Sequence, residues 1–184
     1  MKLFYQIKTI GLVAIIMLTN SCGKLPQRDY WWSYLADYDG KPGSILVNLA
    51  LKERSPDSDF QRLVVTGVSY SSSNTNGLPD SKEIDSLNDL SEKRVKIITQ
   101  LTPAILVGSF THNSERLDYI YVHHTNGVED ALNKFYQVAC PDRKPYINLK
   151  DDSKWEAYSD FLFPNEQTIQ FYRQELTKIG YLKK

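Results

Sequence analysis

The sequence predicts an α+β fold: an antiparallel sheet under two amphipathic helices, with an extra β-hairpin ahead of it and more helices behind. Three observations predict it. From Arg62 to Leu149, β-branched runs and helix-period stripes follow one another as strand, helix, strand, strand, helix, strand. The middle two strands are joined only by His112-Asn113-Ser114-Glu115, short enough to force a hairpin. Each helical stripe is apolar on one side, so it needs a sheet to cover. This is the split βαβ, ferredoxin-like order.

The chain begins with Lys2 and Lys8, the apolar run Ile10 to Leu18, and small residues up to Cys22. That is the order of a secretory signal, and nine apolar residues fall short of the ~20 that span a bilayer. The segment resembles the lipobox of bacterial lipoproteins, in which the cysteine is lipidated and becomes the first mature residue. The resemblance implies a signal peptide over residues 1–21, lipidation at Cys22 and a lipid anchor to a bacterial membrane. Residues 22–29 then read as a tether and residues 30–184 as a single α+β domain. The implied location is the cell envelope, with the outer membrane favoured over the inner.

Lysine and arginine total 22, as do aspartate and glutamate; losing Lys2 and Lys8 gives 20 − 22, a mature charge near −2. No basic footprint for nucleic acid remains. With Cys22 lipidated, Cys140 is the only thiol left, so no intramolecular disulfide is expected. Cys140 stands before Pro141 with no activating base in sight, and reads as a buried structural thiol.

Within the domain, Tyr30 to Tyr38 is an aromatic-rich strand ended by Asp39-Gly40. Gly43 to Leu51 is the next, with Ile45, Val47, Leu49 and Leu51 on one face, and the two form the extra hairpin. Lys52 to Phe60 is a solvated loop, and Arg62 to Tyr70 the third strand. Asn76-Gly77-Leu78-Pro79 turns the chain, with Gly77 expected at positive φ. Asp80 caps a helix whose stripe is Ile84, Leu87, Leu90, Val95, Ile98 and Leu101, with Glu83 in the capping-box position. Strands over Pro103–Thr111 and Leu117–His124 follow. Asn126 caps the second helix, striped by Val128, Leu132, Phe135 and Ala139 and stopped at Cys140-Pro141. A short strand, Pro145 to Leu149, precedes a helix with Trp155, Tyr158 and Leu162. A last helix carries Ile169, Tyr172, Leu176 and Ile179, with Gly180 as its C-terminal glycine.

Gly77-Leu78-Pro79 before an acidic helix, Val107-Gly108 followed by Thr111, Tyr119-Ile120-Tyr121, and Trp155-Glu156-Ala157-Tyr158 leading to Phe161-Leu162-Phe163-Pro164 occur in a distinctive order. Together they resemble the bacterial family catalogued as domain of unknown function 695, over roughly Trp31 to Pro164. That family carries no established activity, so the resemblance transfers no catalytic residue and no cofactor.

No metalloprotease pair, nucleophile elbow, phosphate loop or dinucleotide glycine motif is present. His123 and His124 are adjacent on a strand and point to opposite faces, while His112 lies at the far end of the hairpin. They cannot share a tetrahedral site without distortion, so neither a metal nor a catalytic residue is assigned. A two-residue turn pairs Phe110 with Leu117, Gly108 with Tyr119 and Leu106 with Tyr121 on one face. Ile105, Val107, Ile120 and Val122 then lie on the other, under the two main helices. The first face is rich in tyrosine, and Trp32, Tyr34 and Tyr38 can join it. The plainer reading is that the C-terminal helices cover it as a second core. The functional reading makes Trp32, Tyr34, Phe110, Tyr119 and Tyr121 a flat binding face for a protein, peptide or glycan partner. On that reading the domain binds and does not catalyse; the alternative is a hydrolase with a site near His123 or His124.

Overall fold

The computed structural model describes residues 29–183. The expected signal segment, Cys22 and the tether up to Arg28 lie outside the described residues.

Strands β1 (Trp31–Tyr38) and β2 (Lys41–Asn48) form the leading hairpin, turned by Asp39 and Gly40, both at positive φ as a two-residue hairpin turn requires. β2 stops at Asn48, three residues before the expected end. The Asn48 side chain accepts from the Ala50 backbone N–H (3.1 Å), which starts one 3₁₀ turn over Leu49–Glu53. Leu49 and Leu51 are buried all the same. β3 (Arg62–Ser69) leads through a polar loop to α1 (Ser81–Leu101), capped by the Asp80 carboxylate on the Glu83 N–H at 2.9 Å. β4 (Ala104–His112) and β5 (Glu115–Val122) make the tight hairpin. α2 (Val128–Ala139) begins after Gly127, φ 74°, without a side-chain cap, so Asn126 does not serve as expected. Then come β6 (Pro145–Asp151), α3 (Glu166–Phe171) and α4 (Arg173–Lys178).

The six strands form one antiparallel sheet in the order β1-β2-β4-β5-β3-β6. α1 and α2 lie on one face. There Val64, Val68, Ile120 and Val122 meet Leu87, Leu90, Ile98, Leu132 and Tyr136, all buried. Leu101, expected in the α1 stripe, is 41% exposed, and Ser91 and Arg94 are buried beside the apolar residues.

Phe110 pairs with Leu117 and Gly108 with Tyr119 as the sequence predicts, but a bulge between Leu106 and Gly108 shifts the rest of β4. An extra residue reverses every side chain beyond it. Leu106 therefore pairs with Ile120 and joins the helix-side core, while Ile105 and Val107 move to the tyrosine face. Gly108 is needed at this point, because a Cβ there would stand 2.4 Å from the Leu46 carbonyl oxygen.

The tyrosine face is a second core. Behind β6, Trp155 enters at φ 58° and stacks on Tyr121 with centroids 4.1 Å apart and planes 10° from parallel. Its indole N–H donates to the Phe60 carbonyl at 2.8 Å. The expected straight helix here is a wide π-type turn over Ala157–Leu162, closed by Phe163 N–H to Tyr158 O at 2.7 Å. Asp152 organises the entry: its carboxylate accepts from the Tyr121 hydroxyl (2.6 Å) and the backbone N–H groups of Glu156 (2.8 Å) and Ala157 (3.0 Å). The terminal helices add Glu175, which accepts from the Trp32 indole at 3.0 Å, and Leu176, fully buried.

Candidate functional site

That cover decides what becomes of the expected binding face. Trp32, Tyr34 and Tyr121 lie beneath it, 4%, 6% and 0% exposed, and the Tyr34 hydroxyl donates to the Leu162 carbonyl at 2.9 Å. The flat open surface is corrected to a closed core at these three positions, because residues 155–176 lay their own aromatics and leucines over it. At the other end the cover stops at Phe161. There the face opens as a cleft of about 250 Å³, with Phe110 and Tyr119 as its most buried residues and Tyr38, His112 and Phe161 around them.

The local sequence explains this cluster. On β4 and β5 the two-residue period brings Phe110, His112, Leu117 and Tyr119 to one side of the sheet. Gly43 on β2 leaves room for the Phe110 ring, since a Cβ there would stand 2.6 Å from Cε2. Phe161 crosses Phe110 edge to face (5.0 Å, 81°), Tyr38 does the same from the end of β1 (5.3 Å, 67°), and His112 stacks on Phe110 (5.6 Å, 14°). The rings thus stand as walls at steep angles.

Besides the Tyr38 hydroxyl, three polar groups line this cleft. Glu115 is partly buried, and its side chain forms neither a hydrogen bond nor an ion pair among the described residues. The Tyr119 hydroxyl likewise has no hydrogen-bond partner among them, and burial, with Tyr146, Tyr38 and Glu115 adding to it, keeps the phenol neutral well beyond its ordinary range. His112 places Nδ1 3.4 Å from the Pro42 carbonyl, an arrangement in which that nitrogen donates and Nε2 is left as an acceptor.

A second constellation lies under α1. Arg94 and Asp118 form a fully buried ion pair, with Nε and Nη2 both on Asp118 Oδ2. Arg116, 9% exposed, donates to Asn88 Oδ1 at 2.8 Å. Burial pulls the Arg94 pKa down, but Asp118, with Tyr136 and Cys140 adding to it, more than offsets this, so the net shift is upward. For Arg116 burial prevails, and its pKa falls below the ordinary value despite Asp118. Arg94 Nη1, Arg116 Nε and Asp118 Oδ1 have no partner. Two buried cations against one buried anion form a structural knot with no access to substrate. None of its three charges was expected to be buried, although the pattern marks them: Arg94 falls on the α1 stripe, and Arg116 and Asp118 share the helix-side face with Ile120 and Val122 by the two-residue period.

The histidines near the expected hydrolase site do not converge on a carboxylate. His123 Nδ1 lies 3.0 Å from the Asp59 carbonyl, His124 Nδ1 is buried without a partner, and neither lines the cleft. Cys140 is buried and its thiol is pushed up by desolvation, against the pull of Arg143 and Arg94. Among the described residues no group of three or more His, Cys, Asp or Glu side chains gathers as a metal site would.

A family model described as a family of unknown function (DUF695) matches residues 29–163, well over half of the chain. The chain belongs to that family. No curated protein and no solved structure matches it. The part of this DUF695 chain that the family model matches contains every residue of the cleft, and α3 and α4 lie beyond it.

Proposed function

We propose that this DUF695 protein is an exported envelope lipoprotein, anchored to a membrane through lipid on Cys22, whose domain binds a ligand in the aromatic cleft and carries out no catalysis. The outer membrane is the favoured site. Among the described residues no helix is long and apolar enough to cross a membrane. The domain is read as a ferredoxin-like core, β6-β3-β5-β4 with α1 and α2 on one face, extended by the β1–β2 hairpin. The antiparallel order and the shared helix face support that reading.

One observation carries the binding assignment. Steeply angled rings line a cleft whose carboxylate and phenol are left unpaired by the rest of the fold. Groups left without partners at the edge of a core are positioned for a partner from outside, as ligand sites combine apolar walls with a few polar groups. The hydrolase alternative has less behind it, since His123 and His124 meet backbone or nothing rather than a carboxylate.

The test is a ligand screen by thermal shift and NMR covering peptides, glycans and small organic ions. Tyr38→Ala and Phe161→Ala are compared with His123→Ala. Hits lost in the cleft variants and kept in the histidine variant are expected. Turnover of any ester, amide or glycoside that disappears with His123→Ala or His124→Ala would overturn the reading.

A further inference from the structure

Resting on the cleft assignment just made, we infer that the cleft takes a quaternary ammonium head group. The rings of Tyr38, Phe110, His112, Tyr119 and Phe161 surround about 250 Å³, room for one compact head group. Tyr38 meets Phe110 at 67° and Phe161 at 81°, and Phe161 meets Phe110 at 81°, so these two rings stand as walls across the Phe110–His112 stack (14°). Aromatic rings attract cations over their faces through the ring quadrupole.

Charge points the same way. Among the described residues Glu115 is the only carboxylate lining the cleft, and no cation forms an ion pair with it. Lys41, at the start of β2, is engaged elsewhere, donating to the Asn113 side-chain oxygen at 2.7 Å. An unpaired carboxylate beside a partly desolvated aromatic wall is complementary to a positive ligand and repels a negative one.

The placing of the acceptors, on three different strands, then selects among cations. A primary ammonium carries three N–H donors, each needing a partner when it leaves water. Here the acceptors are one carboxylate, the Tyr119 and Tyr38 hydroxyls and one imidazole nitrogen, spread around aromatic walls. A quaternary nitrogen has no N–H to satisfy, and its methyl groups suit the apolar rings. It needs only ring faces and one counter-charge, which is what the cleft supplies.

The experiment titrates the protein with choline, followed by NMR of the aromatic ring signals and by calorimetry. The controls are methylammonium and the neutral isostere of choline in which carbon replaces nitrogen. Saturable binding of choline is expected, stronger than methylammonium and at least about fivefold stronger than the neutral isostere. Glu115→Gln, which keeps the shape, should weaken choline by about fivefold and leave the isostere unchanged. Tyr38→Ala, at a half-exposed ring the fold does not depend on, should weaken both. Equal binding of choline and isostere would overturn the ammonium inference and leave the cleft as an apolar site. Failure of all three probes, with some other ligand binding in a Tyr38-dependent way, would also overturn it. If nothing binds at the cleft, the binding assignment falls too.

Discussion

Asp118→Asn should be among the most damaging single changes in this protein, although the two side chains have nearly the same shape. Among the described residues Asp118 is the only carboxylate facing two buried guanidiniums, those of Arg94 and Arg116. Neutralising it leaves both without a counter-charge, and Arg94 further disfavours the charge on Arg116. Breaking a buried pair by removing one partner costs about 3–5 kcal/mol, and the loss of the sole anion belongs at the upper end. Against a total stability of about 5–15 kcal/mol this is a large fraction. Arg94→Met should cost less, about 1–3 kcal/mol, because Asp118 keeps Arg116 as a neighbouring cation and the methionine still fills the space under α1. The assay is urea unfolding followed by tryptophan fluorescence, with Trp155 and Trp32 as buried reporters. At about 2 kcal/mol per molar urea, Asp118→Asn should lower the midpoint by about 2 M. Arg94→Met costing as much as Asp118→Asn would refute the unequal knot, as would a shift below about 0.5 M for the asparagine variant.

Three further outcomes follow from particular atoms. Gly77 stands at φ 74°, and a Cβ there would meet the Asn113 Cα at 3.0 Å while the Gly77 carbonyl accepts from Ser114 N–H and the Tyr70 hydroxyl; Gly77→Val should cost about 1–3 kcal/mol, and a wild-type urea midpoint would contradict this. Burial pushes the Tyr34 and Tyr136 phenols up to about 12 from 10, so ionisation favours the unfolded chain: stability should be intact below pH 10 and fall as pH rises from 10 to 12, and urea midpoints that stay level over that range would be inconsistent with it. Cys22→Ser should leave the precursor uncleaved and without an acylated N-terminus; mass spectrometry that finds cleavage elsewhere and an unmodified Cys22 would remove the anchor.

Much of the fold was legible because its signals are local. The helical stripe from Leu87 to Ile98, the Asp80 cap and the His112–Glu115 turn each depend on residues within a few positions, and each is present in the structure. What was not legible depends on residues distant in sequence. The bulge at Val107 follows from β4 having to pass Leu46 and Leu162 at Gly108, contacts more than fifty residues away. The early end of β2 follows from Asn48, whose side chain holds both Ala50 and Tyr30. The π-type turn after Trp155 follows from Asp152, which is tied to Tyr121 across the sheet.

The candidate site shows the same division more sharply. Period-two alternation placed Phe110 and Tyr119 on one face correctly, but it could not say how far along that face the C-terminal segment would reach. The answer rests on a few long-range bonds: Tyr34 to the Leu162 carbonyl, Tyr158 to the Asn48 carbonyl at 2.9 Å, and Trp32 to Glu175. They draw residues 155–176 over the end of the sheet that carries Trp32, Tyr34 and Tyr121, and the chain turns away at Phe163. Phe161 is therefore both the last part of the lid and the first wall of the cleft. For the same reason Tyr121, one alternation step along β5 from Tyr119, supports the core while Tyr119 faces the opening. Tyr121→Phe should then lower stability by about 1 kcal/mol through the lost bond to Asp152 and leave ligand capture unchanged, whereas Tyr119→Phe should alter capture with little loss of stability.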